Sequence, residues 1–394
     1  MNKKVLSLII LFLGVVLAVN AQSDSRITIK GSIFDNTTGE PVPFANLGLL
    51  GTVAGTASDM DGKFELSVPD KYATYVIRVS AVGYSPYEIK VYEAKEKGDL
   101  RINLIPVAYG IGEVDVYAES LVYKKMLKNV VDNISKNYIN KPYNYQGYFE
   151  YKISTNGVEG DTKEAIVTLY DNKGYNRSDV VNAFKEVNYK FNEVRRNHPV
   201  NSIYDGLNYF DDIVTADIIR NTRNVLDIDN ARDFKLKNKG KLVYEGDSVR
   251  VIAYEVINPT ISTTGSTNVT KCSGEIYINL KDFAVLKNII HIEATDFTQL
   301  GRNLMPVNQA KKEKVNMTIT TNYKKLNAVY FLSGATIVYT YKDGANDVKG
   351  EMQYVTTKVN MKNPETITGR MYYEDIAANK KFWDSYSVYF TGEE

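Results

Sequence analysis

The chain has 394 residues, with 48 Lys and Arg against 47 Asp and Glu and a formal net charge of +1. Charge this close to neutral excludes the basic field that nucleic-acid binding needs. Hydrophobic residues at 44% and charged residues at 24% are ordinary for a globular protein, and the length is more than one core usually serves, so two domains are expected.

The first residues, MNKKVLSLIILFLGVVLAVNAQSD, combine Lys3 and Lys4 with an apolar run over 5–18 and a small-x-small site at Val19-Asn20-Ala21. This is the pattern of a signal peptide at 1–21, exporting the chain to the periplasm or an outer-membrane-associated location. The apolar run is too short for an ordinary spanning helix, although an uncleaved anchor is the alternative. No Cys follows the cleavage site, so nothing points to a lipoprotein.

From Arg26 to about Pro106 short strand patterns recur: RITIKGSIFD, FANLGLL, KFELSV, YVIRVSAV, YEIKVY and LRINLI. Turn signals separate them at NTTGEP, DMDG, VGYSP and KEKGD, as in a β-sandwich of one small domain. Asp59 and Asp61 beside Gly62 raise the question of a calcium loop. With Gly62 at position six of an EF-hand, positions one and twelve fall on Ala57 and Val68, so both required ligands are missing. Asp-Gly before alternating KFELSV is instead a hairpin turn. Gly48, Gly51 and Gly55 do not make a phosphate loop, since no Gly-Lys-Ser/Thr follows.

The segments GEPVPFANLGLLGT, GTASDMDGKFEL and VSAVGYSPYEIKV resemble the carboxypeptidase-regulatory-like domain of Bacteroidetes envelope proteins, over about 27–106. GIGEVDVYAES at 110–120 resembles the segment that ends this domain. The resemblance implies a seven-stranded transthyretin-like sandwich at 26–107, an accessory to a peptidase rather than the peptidase. Such domains often precede the plug and barrel of TonB-dependent receptors. A chain ending at Glu394 leads to the expectation that no such receptor follows.

After a linker at 108–118, the second domain is expected over 119–394. ESLVYKKMLKNVVDNISKNY at 119–138 places Tyr123, Leu127, Val130, Ile134 and Tyr138 on one helical face. Its other face carries Lys124, Lys125, Lys128, Asp132 and Lys136, which could touch anionic lipid in a peripheral outer-membrane association. The preferred expectation is that the helix packs on a sheet. Beyond Pro142, alternating runs such as Val315, Met317, Ile319, Thr321 and Tyr323 predict a one-sided antiparallel sheet. Hairpin turns are expected at YEGDS, LKDFA, KKLNA and KDGAND. Residues 179–230 have mixed periodicity and are expected to form an insertion over the sheet, with a short helix at DIVTADIIRNT.

NISKNYINKPYNYQGYFEY and KEAIVTLYDNKGY resemble the uncharacterised region that follows the sandwich in many Bacteroidetes envelope proteins. GEIYINLKDFAVLKNIIHIE resembles strand pairs of periplasmic lipoprotein-carrier folds, which are half-barrels with a helix packed in the concavity. The fold class is therefore expected to be mainly β: the sandwich plus a curved antiparallel sheet with a packed amphipathic helix.

Chemistry is sparse. Neither His198, in a loop, nor His291, in a strand, belongs to a zinc-peptidase motif, and no nucleophile elbow accompanies them. His291 and Glu293 share a strand face and read as a surface pair. Cys272, the only cysteine, lies in TKCSGEIYINL and reads as a small buried or edge residue. The acid pairs Asp211-Asp212 and Asp227 with Asp229 leave a carboxylate-dependent hydrolase as an alternative. The 30 tyrosines, among them Tyr145, Tyr148, Tyr151, Tyr323, Tyr330, Tyr339 and Tyr341, suit a half-buried sheet or a binding surface. The preferred reading is an envelope module with no catalytic residue, metal or cofactor, binding a protein partner or an apolar or glycan ligand on its second domain. A small outer-membrane β-barrel is a further alternative.

Overall fold

The structure is a computed structural model that describes residues 25–107, 116–177, 187–197, 210–266, 268–295, 298–299, 302–303, 314–369, 371, 373–384 and 386. The expected signal peptide, most of the linker, and His198 lie outside the described residues.

The first domain is the expected sandwich. One sheet orders β4 (Lys63–Pro69), β1 (Arg26–Asp35) and β7 (Leu100–Leu104), with β1 and β7 parallel. The other orders β3 (Gly55–Ala57), β2 (Asn46–Leu49), β5 (Val76–Ser80) and β6 (Tyr87–Lys90). Alternation in each strand sends Ile29, Ile33, Leu47, Leu49, Leu66, Val79 and Ile102 into a core of their own. Two local patterns differ from expectation. β3 is too short to show a period, and VYEAKEK, whose first residues read as strand, forms helix α1 (Val91–Lys97) closed by Gly98 at φ 74°.

The second domain is one antiparallel sheet of ten strands, curved and unclosed. Its order is β10 (Val187–Arg196), β9 (Val158–Asp171), β8 (Tyr143–Thr155), β19 (Asn346–Asn360), β18 (Val329–Asp343), β17 (Val315–Leu326), β14 (Val285–Ala294), β13 (Val269–Asn279), β12 (Asp247–Val256) and β11 (Phe234–Tyr244). A separate two-residue pair joins β15 (Thr298–Gln299) to β16 (Arg302–Asn303). The four expected hairpins form, each with a left-handed residue in its turn: Glu245 and Gly246, Phe283, Asn327 and Gly344. The alternative of a closed barrel is not met: β10 and β11 are the two ends of the order and do not pair with one another among the described residues.

Part of the 179–230 stretch, expected as insertion, is strand. VNYKFNEVRR forms β10, with Val187, Tyr189, Phe191 and Val194 buried; a bulge between Phe191 and Glu193 breaks the period that would have revealed it. The expected short helix is at Phe210–Ala216, ahead of DIIRNT.

The helix after the linker also departs in detail. It begins at Val116, inside the expected linker, runs to Asp132 as α2, breaks at Asn133 and resumes for one turn as α3 (Ile134–Asn137). Its apolar stripe behaves as expected. Tyr123, Leu127, Val130, Ile134 and Tyr138 are all buried in the sheet's core. The break lets the Tyr138 hydroxyl reach β14, where it donates to the Val285 carbonyl at 3.1 Å and accepts from the Val285 N–H at 2.9 Å.

The face of the sheet under these helices, here the inner face, is paved with aromatics. Tyr354 and Tyr339 lie directly on Gly147 and Gly350, where a β-carbon would not fit. That accounts for many of the tyrosines as sheet filling. The last described segment runs back over β9 and β10. Tyr373 donates to the Arg195 carbonyl, Lys163 pairs with Glu374 at 2.7 Å, and the Trp383 indole N–H donates to the Val194 carbonyl at 2.9 Å. The opposite end strand, β11, carries Lys235, Lys237, Lys239 and Lys241 and a bulge between Asn238 and Gly240.

Candidate functional site: a cleft between sandwich and sheet

The sandwich sits on the outer face of the ten-stranded sheet. The turn at Asp59–Gly62 makes one contact. The Gly62 N–H bonds back to the Asp59 carbonyl at 3.0 Å, and the Asp59 carboxylate accepts the Lys63 N–H at 2.7 Å. The Met60 N–H is thereby presented to Gln353 Oε1 at 3.1 Å, and Gln353 in turn donates to Glu150. Burial, with Asp61 and Glu150 adding negative charge, pushes the Asp59 carboxyl up to about 6. Asp61 faces Lys63 at 3.6 Å. The two acids therefore serve a docking turn and do not converge on one point.

A second contact comes from β2 and β5. In β2, Leu47 and Leu49 point into the sandwich core, so Asn46 and Gly48 face the sheet. Asn46 Oδ1 accepts from Lys324 at 2.7 Å, Arg78 lies 3.8 Å from Glu245, and Phe44 packs on Gly334. Between these contacts and the Asp59 turn lies a cleft of about 640 Å³. Its walls are Phe44, Asn46, Arg78 and Tyr84 on the sandwich and Tyr244, Glu245, Lys287, Lys324 and Phe331 on the sheet. The left-handed pair Glu245-Gly246 turns the β11–β12 hairpin so that Tyr244 and Glu245 close one end. Burial, with the neighbouring Glu245, pushes the Tyr244 hydroxyl up to about 12. Burial also pushes the Lys324 ammonium down to about 8, against the pull of Glu245, and lowers Lys287 against the pull of Glu275.

The inner face holds a different kind of polar group. Arg220 pairs with Asp171 and donates to the Tyr143 hydroxyl at 2.6 Å; its guanidinium stacks 4.7 Å from the Tyr175 ring centre. Beside it Tyr323 donates to Asp217 at 2.8 Å. All of these are buried, and they tie the chain after α4 (Phe210–Ala216) onto the sheet. A small cavity of about 90 Å³ next to them is lined by Phe234, Tyr254, Cys272, Ile290 and Ile292.

The other residues singled out in the sequence are dispersed. Asp211 accepts from Tyr189 at 2.7 Å and Asp227 accepts from Asn230 at 3.1 Å, and neither lines the cleft or the small cavity. His291 meets Thr318 at 3.1 Å, while Glu293 is held by Lys271 at 3.2 Å and Lys314 at 2.8 Å. Cys272 is buried, and burial pushes its thiol up to about 12, away from nucleophilic character. Among the described residues no helix is long and apolar enough to cross a membrane. The cleft residues were not legible as a site. Lys287, Lys324 and Gly334 stand at the positions of their strands that alternation assigns to solvent.

The family model of the CarboxypepD_reg-like domain matches residues 29–116. The first domain is a carboxypeptidase-regulatory-like domain. Two curated relatives match it: the TonB-dependent receptor SusC of Bacteroides thetaiotaomicron, 39% identical over 110 residues, and the TonB-dependent receptor P3 of Formosa agariphila, 33% identical over 91 residues. These matches take in 27% and 23% of this chain but only 10% and 9% of the relatives, so the chain spans about a tenth of their length. Among solved structures, a DUF1329 family protein from Desulfovibrio piger and a LolA superfamily protein from Nitrosomonas europaea each share 8% identity. They cover 61% and 59% of this chain and 92% of their own, with TM-scores of 0.24 and 0.21, too low to bear on the second domain.

Proposed function

We propose that this chain is a non-catalytic cell-envelope protein that binds an apolar or glycan ligand in the cleft between its carboxypeptidase-regulatory-like domain and its ten-stranded sheet. The cleft carries the reading. At about 640 Å³ it has the size of a small-molecule site, and it mixes aromatic walls with a few polar groups. Because both domains build it, ligand binding and domain docking reinforce one another. The envelope setting, with export to the periplasm or the outer membrane, rests on the relatives of the sandwich, both named TonB-dependent receptors. None of the acids at 211, 212, 227 and 229 lines the cleft, which supports binding over hydrolysis there.

Native mass spectrometry of the chain purified from an envelope fraction tests this. The wild type is expected to retain a small-molecule adduct that Gly48→Trp loses, since Gly48 borders the cleft and a β-carbon there meets only the Asn46 side-chain nitrogen, at an ordinary contact distance of 3.5 Å. No adduct on the wild type, or the same adduct on both, would overturn the proposal.

A further inference from the structure

The cleft has a charge character that the size argument does not use. Five basic side chains line it against two carboxylates, in a chain whose net charge is only +1. Three of the five are matched by acids. Arg78 meets Glu88 at 3.4 Å and Glu245 at 3.8 Å, Lys281 meets Asp247 at 3.3 Å, and Lys325 meets Asp282 at 3.2 Å. Lys324 is held by an amide oxygen, that of Asn46 at 2.7 Å. Lys287 has no hydrogen bond or ion pair among the described residues; its ammonium stands 5.6 Å from the Tyr277 ring centre.

Register puts these two lysines together. Lys287 on β14 pairs with Asn322 on β17, and Lys324 is the next residue of β17 on the same face. Diagonal neighbours of this kind lie about 7–8 Å apart, within reach of one another's side chains. Both ammonium groups have given up hydration on burial in the cleft, which lowers each of them. An anion between them replaces that lost hydration.

We propose that the cleft selects an oxyanion-bearing ligand of sugar size, with its carboxylate or phosphate seated between Lys287 and Lys324 and its body against the aromatic walls. The proposal rests on the cleft being the binding site and adds the class of ligand. Asn46 and Asn322 supply neutral polar contacts beside the anion.

Titration calorimetry of the full chain at low salt tests it with three probes: glucuronate, glycerol phosphate and glucose. Saturable binding of either anion, at least tenfold tighter than glucose, is expected. Glucuronate as the better probe assigns an acidic glycan, and glycerol phosphate a phosphate headgroup. Lys287→Gln should weaken the anion at least tenfold, Lys287→Arg should keep most of the binding, and Lys362→Gln, on the surface elsewhere, should change nothing. Anion binding no tighter than glucose, or unaffected by Lys287→Gln, would overturn the proposal. If Gly48→Trp still removes the native adduct in that case, the cleft remains a binding site and its ligand is neutral.

Discussion

The ring of Phe44 rests on the backbone of Gly334, so closely that a β-carbon at 334 would stand 2.7 Å from the ring's Cδ1. The two residues lie 290 positions apart and belong to different domains, so this fit sets how the sandwich meets the sheet. Phe44 itself has φ 55°, held by its N–H bond to the Ser58 carbonyl at 3.0 Å. A side chain in that backbone region is uncommon and costs about 1–3 kcal/mol unless its surroundings fix it.

Gly334→Val should therefore lift Phe44 and loosen the docking. Overpacking of this kind costs about 1–3 kcal/mol. In scanning calorimetry the variant is expected to show the sandwich melting ahead of the sheet, whereas Phe44→Ala added to it should restore part of the loss. An unchanged thermogram would mean that the two domains are held mainly by their other contacts.

Asp59 gives a prediction in pH. Burial holds its folded pKa near 6 against an ordinary 3.8, so the folded chain keeps a proton that the unfolded chain has released between about pH 4 and 6. Its contribution to stability is then fully present below about pH 4 and lost as pH rises through 6. Discounted for partial exposure, the change is up to about 2 kcal/mol. Asp59→Asn should gain stability over the wild type progressively from pH 4 to 6.5 in urea titrations. A constant difference across that range would count against the buried, raised carboxyl.

Tyr138→Phe removes one oxygen and leaves both the N–H and the carbonyl of Val285 without that partner inside the core. The expected loss is about 1–3 kcal/mol. Leu127→Ala, in the same stripe, should cost about 2–5 kcal/mol. Denaturation curves of the two variants decide whether the helix is part of the core. Little change in either would return the helix to a role outside it, such as contact with lipid.

Arg220 and Asp171 should behave as a unit. Truncating either alone leaves a buried charge and is expected to cost about 3–5 kcal/mol. The double replacement Arg220→Met with Asp171→Leu should cost clearly less than the two singles together. A double-mutant cycle by urea denaturation reads this coupling, and additive losses would show that the pair is not coupled.

The sequence showed most clearly what depends on neighbours in the chain. Val315, Met317 and Ile319 alternate, and YEGDS and KDGAND are turns whatever surrounds them. Tyr123 to Tyr138 formed a readable stripe because helical period needs only local spacing. β10 was hidden because its bulge at Phe191 and Glu193 shifts the period halfway along. Lys287 and Lys324 were hidden for another reason. A lysine facing solvent and a lysine facing a second domain have the same place in an alternating strand, and only the docking of Phe44 on Gly334 separates them.

The segment that carries Tyr373 and Trp383 back over β9 and β10 is a strap along that edge, and it bears on how many copies of the sheet can join. An open sheet offers two rows of unused backbone groups, and either can template another chain. Here the two rows are blunted by unlike means: the indole N–H takes the Val194 carbonyl on one, while four lysines and a bulge guard the other. Growth by addition of strands needs both rows exposed, one on each partner. Losing the strap would free a single row, so such a chain could acquire mismatched dimers under stress while the lysine-guarded row still blocked a fibre from extending.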